Sequence, residues 1–429
     1  MTFEASLKYL YDRLPIFQRS GAAALKKDLT NTLKLLEALG NPHIDMKFVH
    51  VAGTNGKGTS AHAIASVLQS AGYKTGLYTS PHLKSFTERI RINGKEVDES
   101  FIADFVSSYK TLIEQVKPSF FEVTVVMSFV YFKRQNIDIA VIETGLGGRL
   151  DSTNVITPEV SLITMIGNDH ADLLGSNMKQ IAGEKAGIIK KGIPVVIGEY
   201  QSDIFPVFQE RANEMQSDLI DTRGIEVSLN SETLLSKNYS VRSNRKSIYP
   251  ELVTDVTPDY FMKNIPGILK TLDVLSKKGY QVHPEAILKG FRNIKDQTGL
   301  KGRFQILGQN PLVVADISHN EPGLTVLMDQ VRKRTGGDLY MVFGVVKDKD
   351  LPGVLKVLPK ESKFFWTQSS VPRSLPASEL KQKAHEFGYD GEAFEEVNLA
   401  IQAATQLANE EDIILICGST FVVAEIEDL

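Results

Sequence analysis

Residues 47–60, Lys-Phe-Val-His-Val-Ala-Gly-Thr-Asn-Gly-Lys-Gly-Thr-Ser, constrain the fold more than any other stretch of the chain. A short apolar run with β-branched residues ends in a glycine-rich turn. The turn passes into residues 61–68, which are good helix formers with apolar positions near helical spacing. Strand, glycine loop, lysine, hydroxyl and helix together make a phosphate cradle. Backbone N–H groups and the helix N-terminus face the anion, Lys57 neutralises phosphate charge, and Thr59 offers a hard oxygen to Mg²⁺. The spacing departs from the usual G-x-x-x-x-G-K-[ST] loop, because Gly58 separates the lysine from Thr59. The competing reading is a glycine-rich surface turn, against which the flanking strand and helix argue.

A chain of 429 residues exceeds the size at which one core keeps growing, so two domains are expected. Residues 137–142 form a near-continuous apolar run, as a central parallel strand requires. With strand candidates at 74–78, 160–164 and 194–197 and a helix over 182–189, the alternation predicts a doubly wound parallel sheet. Residues 88–92 and 95–97 around Asn93-Gly94 predict a hairpin, and 225–241 predict further hairpins at the domain edge. A second, smaller Rossmann-like α/β alternation runs through strands at 312–316, 339–344, 364–366 and 413–417. The division read from this pattern is 1–296 and 302–429, with the polar, glycine-containing 297–301 as linker.

Net charge of −4 and a pI near 6.1 leave no global field to attract nucleic acid. The longest apolar stretch, 123–132, is too short and mixed for a membrane span. Cys417, the single cysteine, excludes an internal disulfide framework and sits in an apolar run that predicts a packed, inert thiol. Met1-Thr2-Phe3-Glu4 lacks a basic region followed by an apolar core, so a cytoplasmic location is expected.

Several polar residues fall where strand ends should converge. Glu143 closes the 137–142 run, and a carboxylate there beside a phosphate loop suits Mg²⁺; otherwise it caps a strand. His170 follows the 160–164 strand and is either a loop histidine or a ligand. Lys185 sits among small and apolar residues. A buried lysine there would be nucleophilic or open to carbamylation, whereas an exposed one would be an ordinary helix-surface lysine. In the second alternation Asp316, His319 and Asn320 lie just past a buried strand, and Arg303 follows the linker. Local Asp and Asn turn bonding would explain them, as would a nucleotide met on domain closure.

Taken together, these segments resemble the Mur-type amide ligases, in particular the folylpolyglutamate synthase/dihydrofolate synthase family. The resemblance covers most of the chain. It is carried by residues 50–59, Tyr78-Thr79-Ser80-Pro81-His82-Leu83, Thr87-Glu88-Arg89-Ile90, Gly147-Gly148-Arg149-Leu150-Asp151-Ser152-Thr153-Asn154, Asp169-His170, residues 184–189, residues 316–320 and Gly418-Ser419. The displaced hydroxyl after Gly58 is itself a feature of that family. The resemblance implies an ATP-dependent ligase that adds L-glutamate to a folate, and to dihydropteroate in bifunctional members. Gly53, Thr54, Asn55, Gly56, Lys57, Gly58 and Thr59 would hold ATP phosphates, joined by Asn264, Arg303, Asp316 and His319. Thr59 and Glu143 would bind one Mg²⁺, and Ser80, Glu143 and His170 a second. Lys57, Lys185, His170 and Arg303 would carry catalysis, with Lys185 carbamylated. Phe121, Glu122, Thr124 and Asp151 would hold the pterin. A monomer acting on small molecules is implied, with neither nucleic acid nor membrane as partner. Two departures stand out: Ile317-Ser318 replaces the small pair usual between the aspartate and histidine, and residues 257–264 lack the glycine and glutamine usual before Asn264.

Overall fold

The computed structural model describes residues 1–16, 28–168, 171–175, 177–334 and 336–429, the side chains of 171 and 172 excepted. Its chain divides into two compact units. The first comprises Met1–Glu232, Lys237–Asp255 and Phe261–Leu300; the second comprises Thr233–Ser236, Val256–Tyr260 and Lys301–Leu429. The expected continuous 1–296 domain is therefore corrected in two places, since two short segments from that range pack with the second unit. The units divide between Leu300 and Lys301, inside the expected 297–301 linker, but that segment is not a free connection. Its first residues close a helix, Ile294–Thr298, and Thr298 is buried with its hydroxyl 2.7 Å from His62 Nδ1. Polarity there reflects hydrogen bonding inside the unit and not solvent exposure.

The first unit is built on one sheet with strand order β4-β3-β2-β5-β1-β6-β7-β8. The strands are β1 Phe48–Ala52, β2 Thr75–Tyr78, β3 Ile90–Ile92, β4 Lys95–Glu96, β5 Ile139–Glu143, β6 Val160–Ile163, β7 Val195–Ile197 and β8 Leu219–Asp221. The β2-to-β8 portion is parallel, and β3 and β4 add an antiparallel hairpin edge. Burial of β1, β5 and β6 along their whole lengths explains their near-continuous apolar sequences. Helices α1 Lys57–Ser70, α2 Phe120–Arg134, α3 Met178–Ala186 and α4 Phe261–Lys277 belong to this unit. The apolar 123–132 stretch lies inside α2, almost entirely buried, and among the described residues no helix is long and apolar enough to cross a membrane. The expected 182–189 helix is shifted to Met178–Ala186: Asn177 accepts from Gln180 N and caps its start, and it ends before Gly187. A three-stranded antiparallel sheet, β9 Ile225–Glu232, β10 Lys237–Ser243 and β11 Lys246–Thr254, realises the expected hairpins.

The second unit holds a six-stranded sheet ordered β12-β13-β17-β14-β15-β16. Its strands are β12 Gln305–Gln309, β13 Leu312–Ala315, β14 Leu339–Phe343, β15 Lys363–Thr367, β16 Gly391–Phe394 and β17 Ile413–Cys417. Only β12 pairs antiparallel. Trp366, stacked 4.5 Å from Phe364, anchors its core, and Cys417 is fully buried there with burial pushing its thiol well up. The eight- and six-stranded sheets are mostly parallel, each in an α/β unit.

Candidate active site

The strand order places β2, β5, β1 and β6 side by side, so their carboxyl ends form one edge. In register, Val51 pairs with Glu143, Tyr78 with Ile142 and Ala52 with Ile163. The loop after β1 therefore opens beside Glu143 on one side and residues 164–167 on the other. Ligands of open parallel sheets bind at such an edge.

The loop is tied down from the β6 side. Thr164 Oγ1 donates to Asn55 O at 2.8 Å and to Ala52 O at 3.2 Å. Thr54 N donates to Met165 O at 2.8 Å, and Thr54 Oγ1 exchanges bonds with the Gly167 backbone. Two glycines are required by this geometry. Gly53 has φ +146°, and a Cβ there would fall 1.8 Å from Thr164 Oγ1. Gly56, the residue before α1, has φ +88°, and a Cβ there would fall 2.5 Å from Asn264 Oδ1. Asn264, on α4, thus lies directly against the loop. Its buried Nδ2 has no hydrogen-bond partner, so a donor is held ready beside the phosphate cradle. Lys57 begins α1, with Nζ 3.0 Å from Thr54 O. Gly58 follows it, and Thr59, the third residue of α1, is buried.

Glu143 is also buried, and its Oε2 accepts from Ser80 N at 3.1 Å. This bond brings the loop after β2 to the end of β5. Among the described residues no group of three His, Cys, Asp or Glu side chains converges to hold a metal alone. Thr59, Ser80 and Glu143 nevertheless offer hard oxygens, which suit Mg²⁺ when phosphate oxygens complete its shell. His170 lies outside the described residues.

Lys185 is 3% exposed, which removes the helix-surface reading. Its Nζ donates to Gly53 O at 2.7 Å, so α3 points this lysine into the phosphate loop.

The expected pterin residues gather at the start of α2 and after β5. The Phe121 ring centroid lies 6.3 Å from that of the buried Tyr78. Glu122 spends Oε2 on Ser119 N in a capping box and leaves Oε1 buried and unpaired. The Thr124 hydroxyl donates to Phe120 O at 2.7 Å, within its own helix. Asp151 is buried and accepts from Leu146 N at 2.8 Å and Thr153 N at 2.9 Å. Burial raises its carboxyl above the usual range, and these donors oppose that rise.

Sequence reasoning missed a neighbouring cluster. Arg89, 3% exposed, donates Nε to His82 Nδ1 at 2.7 Å and lies 5.4 Å over the Phe120 ring. Burial, then Arg89, holds His82 well below the ordinary histidine range. Both residues stand in the quoted motifs, but their mutual contact depends on the turn between β2 and β3.

In the second unit Asp316 is fully buried at the end of β13. It accepts from Phe304 N and Ser318 N, each at 2.8 Å, from Ser318 Oγ at 2.6 Å and from Tyr260 Oη at 3.2 Å. His319 Nδ1 lies 3.0 Å from Ile317 O, Arg303 Nη1 reaches Gly302 O at 3.4 Å, and Asn320 caps the helix Glu321–Arg332.

A phosphate loop on a doubly wound sheet, a buried acid at the neighbouring strand end and a second Rossmann-like unit define an ATP-dependent ligase of the Mur class. Residues 51–254 match the Mur ligase middle domain and 302–420 the Mur ligase glutamate ligase domain. The dihydrofolate synthase/folylpolyglutamate synthase of Escherichia coli is 32% identical over 88% of this chain and 85% of its own. That of Bacillus subtilis is 29% identical over 99% and 98%. An E. coli FolC structure with DHPP and ADP superposes with a TM-score of 0.85 at 28% identity, covering 99% of this chain and 96% of that one. A Yersinia pestis enzyme of the same description, complexed with AMPPNP and Mn ion, gives 0.82 at 27% identity over 99% and 97%. The chain belongs to the folylpolyglutamate synthase/dihydrofolate synthase family of Mur ligases.

Proposed function

We propose that this chain joins L-glutamate to a folate at the expense of ATP, through an acyl phosphate, and that it also converts dihydropteroate to dihydrofolate. The observation that carries the reading is the shared strand edge, where the Gly53–Thr59 loop, Ser80 and buried Glu143 meet. A carboxylate is a poor acyl donor to an amine, and phosphorylation gives it a leaving group. Gly53, Thr54, Asn55, Gly56 and Gly58 present backbone to the phosphates, and Lys57 neutralises charge on the transferring phosphoryl group. Thr59, Ser80 and Glu143, with His170, would hold Mg²⁺, which supplies further charge neutralisation when bound. Lys185, buried against Gly53, is placed to orient that loop; carbamylated, it would present a carboxylate there. Asn264 donates its free amide N–H to the nucleotide, and Arg303, Asp316 and His319 contribute from the second unit. Asp151, Phe121, Glu122 and Thr124 receive the pterin. Closure over the acyl phosphate would keep water away while the glutamate amine attacks, expelling phosphate and forming the amide. A reducing, ATP-rich cytoplasm suits both the reaction and the free thiol of Cys417.

ADP release, measured with L-glutamate plus dihydropteroate and then plus tetrahydrofolate, tests the proposal. Glutamate-dependent release with both acceptors is expected. Release without glutamate would point to a nucleotide switch, and release only with a cell-wall acceptor to another Mur-type ligase; either overturns the folate reading.

A further inference from the structure

We propose that His50 and Thr153 are positioning residues for the folate, forming a buried chain that locks the Asp151 carboxylate in one orientation toward the N–H edge of the pterin. The proposal rests on the assignment of Asp151 to the pterin site.

Thr153 Oγ1 lies 2.5 Å from Asp151 Oδ1, which also accepts from Thr153 N at 2.9 Å. An ionised carboxylate only accepts, so the single threonine proton is spent on Asp151. The Thr153 oxygen must then accept from His50 Nε2, 2.9 Å away, and this fixes the imidazole tautomer. His50 is fully buried in the middle of β1, between Ile142 of β5 and Ser161 of β6. Burial, and secondarily Lys190, depresses its pKa to about 3, so it works as a neutral donor. Its Nδ1 is buried without a partner, a cost that an apolar residue in this apolar strand would avoid. The link to Thr153 accounts for a histidine being there.

With Oδ1 held by two Thr153 donors and Oδ2 by Leu146 N, the remaining acceptor capacity of Asp151 lies mostly on Oδ2. A ligand N–H therefore meets an acceptor whose direction is set before binding. The same chain joins that acceptor to β1, whose end carries the phosphate loop. The groups acting on Asp151 are these donors, the Gly145 backbone N–H and the Tyr78 phenol, with His50 acting through Thr153 and Lys190 acting on His50. Thr153 hydrogen bonds lower the Asp151 pKa while burial raises it, so losing the hydroxyl moves that pKa upward.

The test is steady-state ADP release with L-glutamate, varying dihydropteroate and ATP separately across pH, for Thr153→Val, Thr153→Ser, His50→Leu and His50→Gln. Thr153→Val is expected to raise the KM for dihydropteroate about tenfold or more, with the KM for ATP changed less than about threefold. The acid limb of kcat/KM for dihydropteroate should shift to higher pH. Thr153→Ser should restore the wild-type profile, and His50→Gln, which keeps a donor near the Nε2 position, should retain more than His50→Leu. Equal changes in both KM values, an unmoved acid limb, or a serine variant as impaired as the valine one would overturn the proposal. Wild-type enzyme inactive with both folate acceptors would instead remove the function on which it rests.

Discussion

Replacing Gly56 by alanine should separate the loop's structural demand from its nucleotide chemistry. At φ +88° an L-residue pays about 1–2 kcal/mol for the left-handed conformation. The new methyl would stand 2.5 Å from Asn264 Oδ1, so Asn264 must turn from its seat, adding about 0.5–1.5 kcal/mol for an off-rotamer side chain. The sum, about 1.5–3.5 kcal/mol, corresponds to a fall in Tm of roughly 2–6 °C for a unit of this size. Displacing Asn264 also removes the buried Nδ2 donor from the loop, so ATP affinity should fall about tenfold, near 1.4 kcal/mol. Calorimetric melting and ATP titration would be run on Gly56→Ala, Asn264→Ala and the double variant. Removing the Asn264 side chain relieves the clash, so the double variant should regain part of the lost Tm without regaining ATP affinity. Recovery of both together, or no loss of either in Gly56→Ala, would refute the reasoning.

Three further outcomes are expected. Lys185→Ala should lower turnover about 100-fold or more in single-turnover assays while ATP affinity changes less than about fivefold; near-wild-type turnover would remove Lys185 from the mechanism. Asp255, whose pKa burial raises from 3.8 to about 6, binds its proton more tightly in the folded chain. Its stabilising contribution is thus present below pH 3.8 and is lost as pH rises to about 6; urea melts of wild type against Asp255→Asn should diverge by about 2–3 kcal/mol across that window. Asp316→Ala strands four donors and should cost about 3–5 kcal/mol in thermal melts, against about 1 kcal/mol for Tyr260→Phe; equal costs would contradict the bonding described.

The phosphate loop and the buried strands were legible because their information is local. Gly53, Gly56, Lys57 and Thr59 lie within seven consecutive residues, β17 announces burial by an uninterrupted apolar run, and β1 and β5 do so by runs broken only by His50 and the terminal Glu143. Strands β12 and β16 escaped because they are partly exposed edges, and Gly391 in β16 is a poor strand former. The contacts that shape the site are non-local and leave no spacing to read: Asn264 against Gly56, Thr164 against Asn55, Thr153 against His50. Residues 297–301 misled for the opposite reason. Their polar side chains suggested solvent, yet the Thr298 hydroxyl is satisfied inside the unit, where it donates to Ile294 O.

The second unit takes Val256–Tyr260 from far upstream, and this segment is stitched in closely. Buried Gln330 donates to Thr257 O at 3.0 Å and accepts from Asp259 N at 2.7 Å, while Lys333 meets Asp259 at 2.9 Å. A fragment beginning at residue 301 would therefore carry a buried amide and Asp316 with part of their bonding missing. On the ribosome the upstream strap must wait for 56 residues of later chain before Tyr260 can meet Asp316, and for 73 before Thr257 can meet Gln330. A protein engineer seeking an autonomous glutamate-ligase module would have to splice that strap back on, for instance by circular permutation, before expecting a cooperative melt.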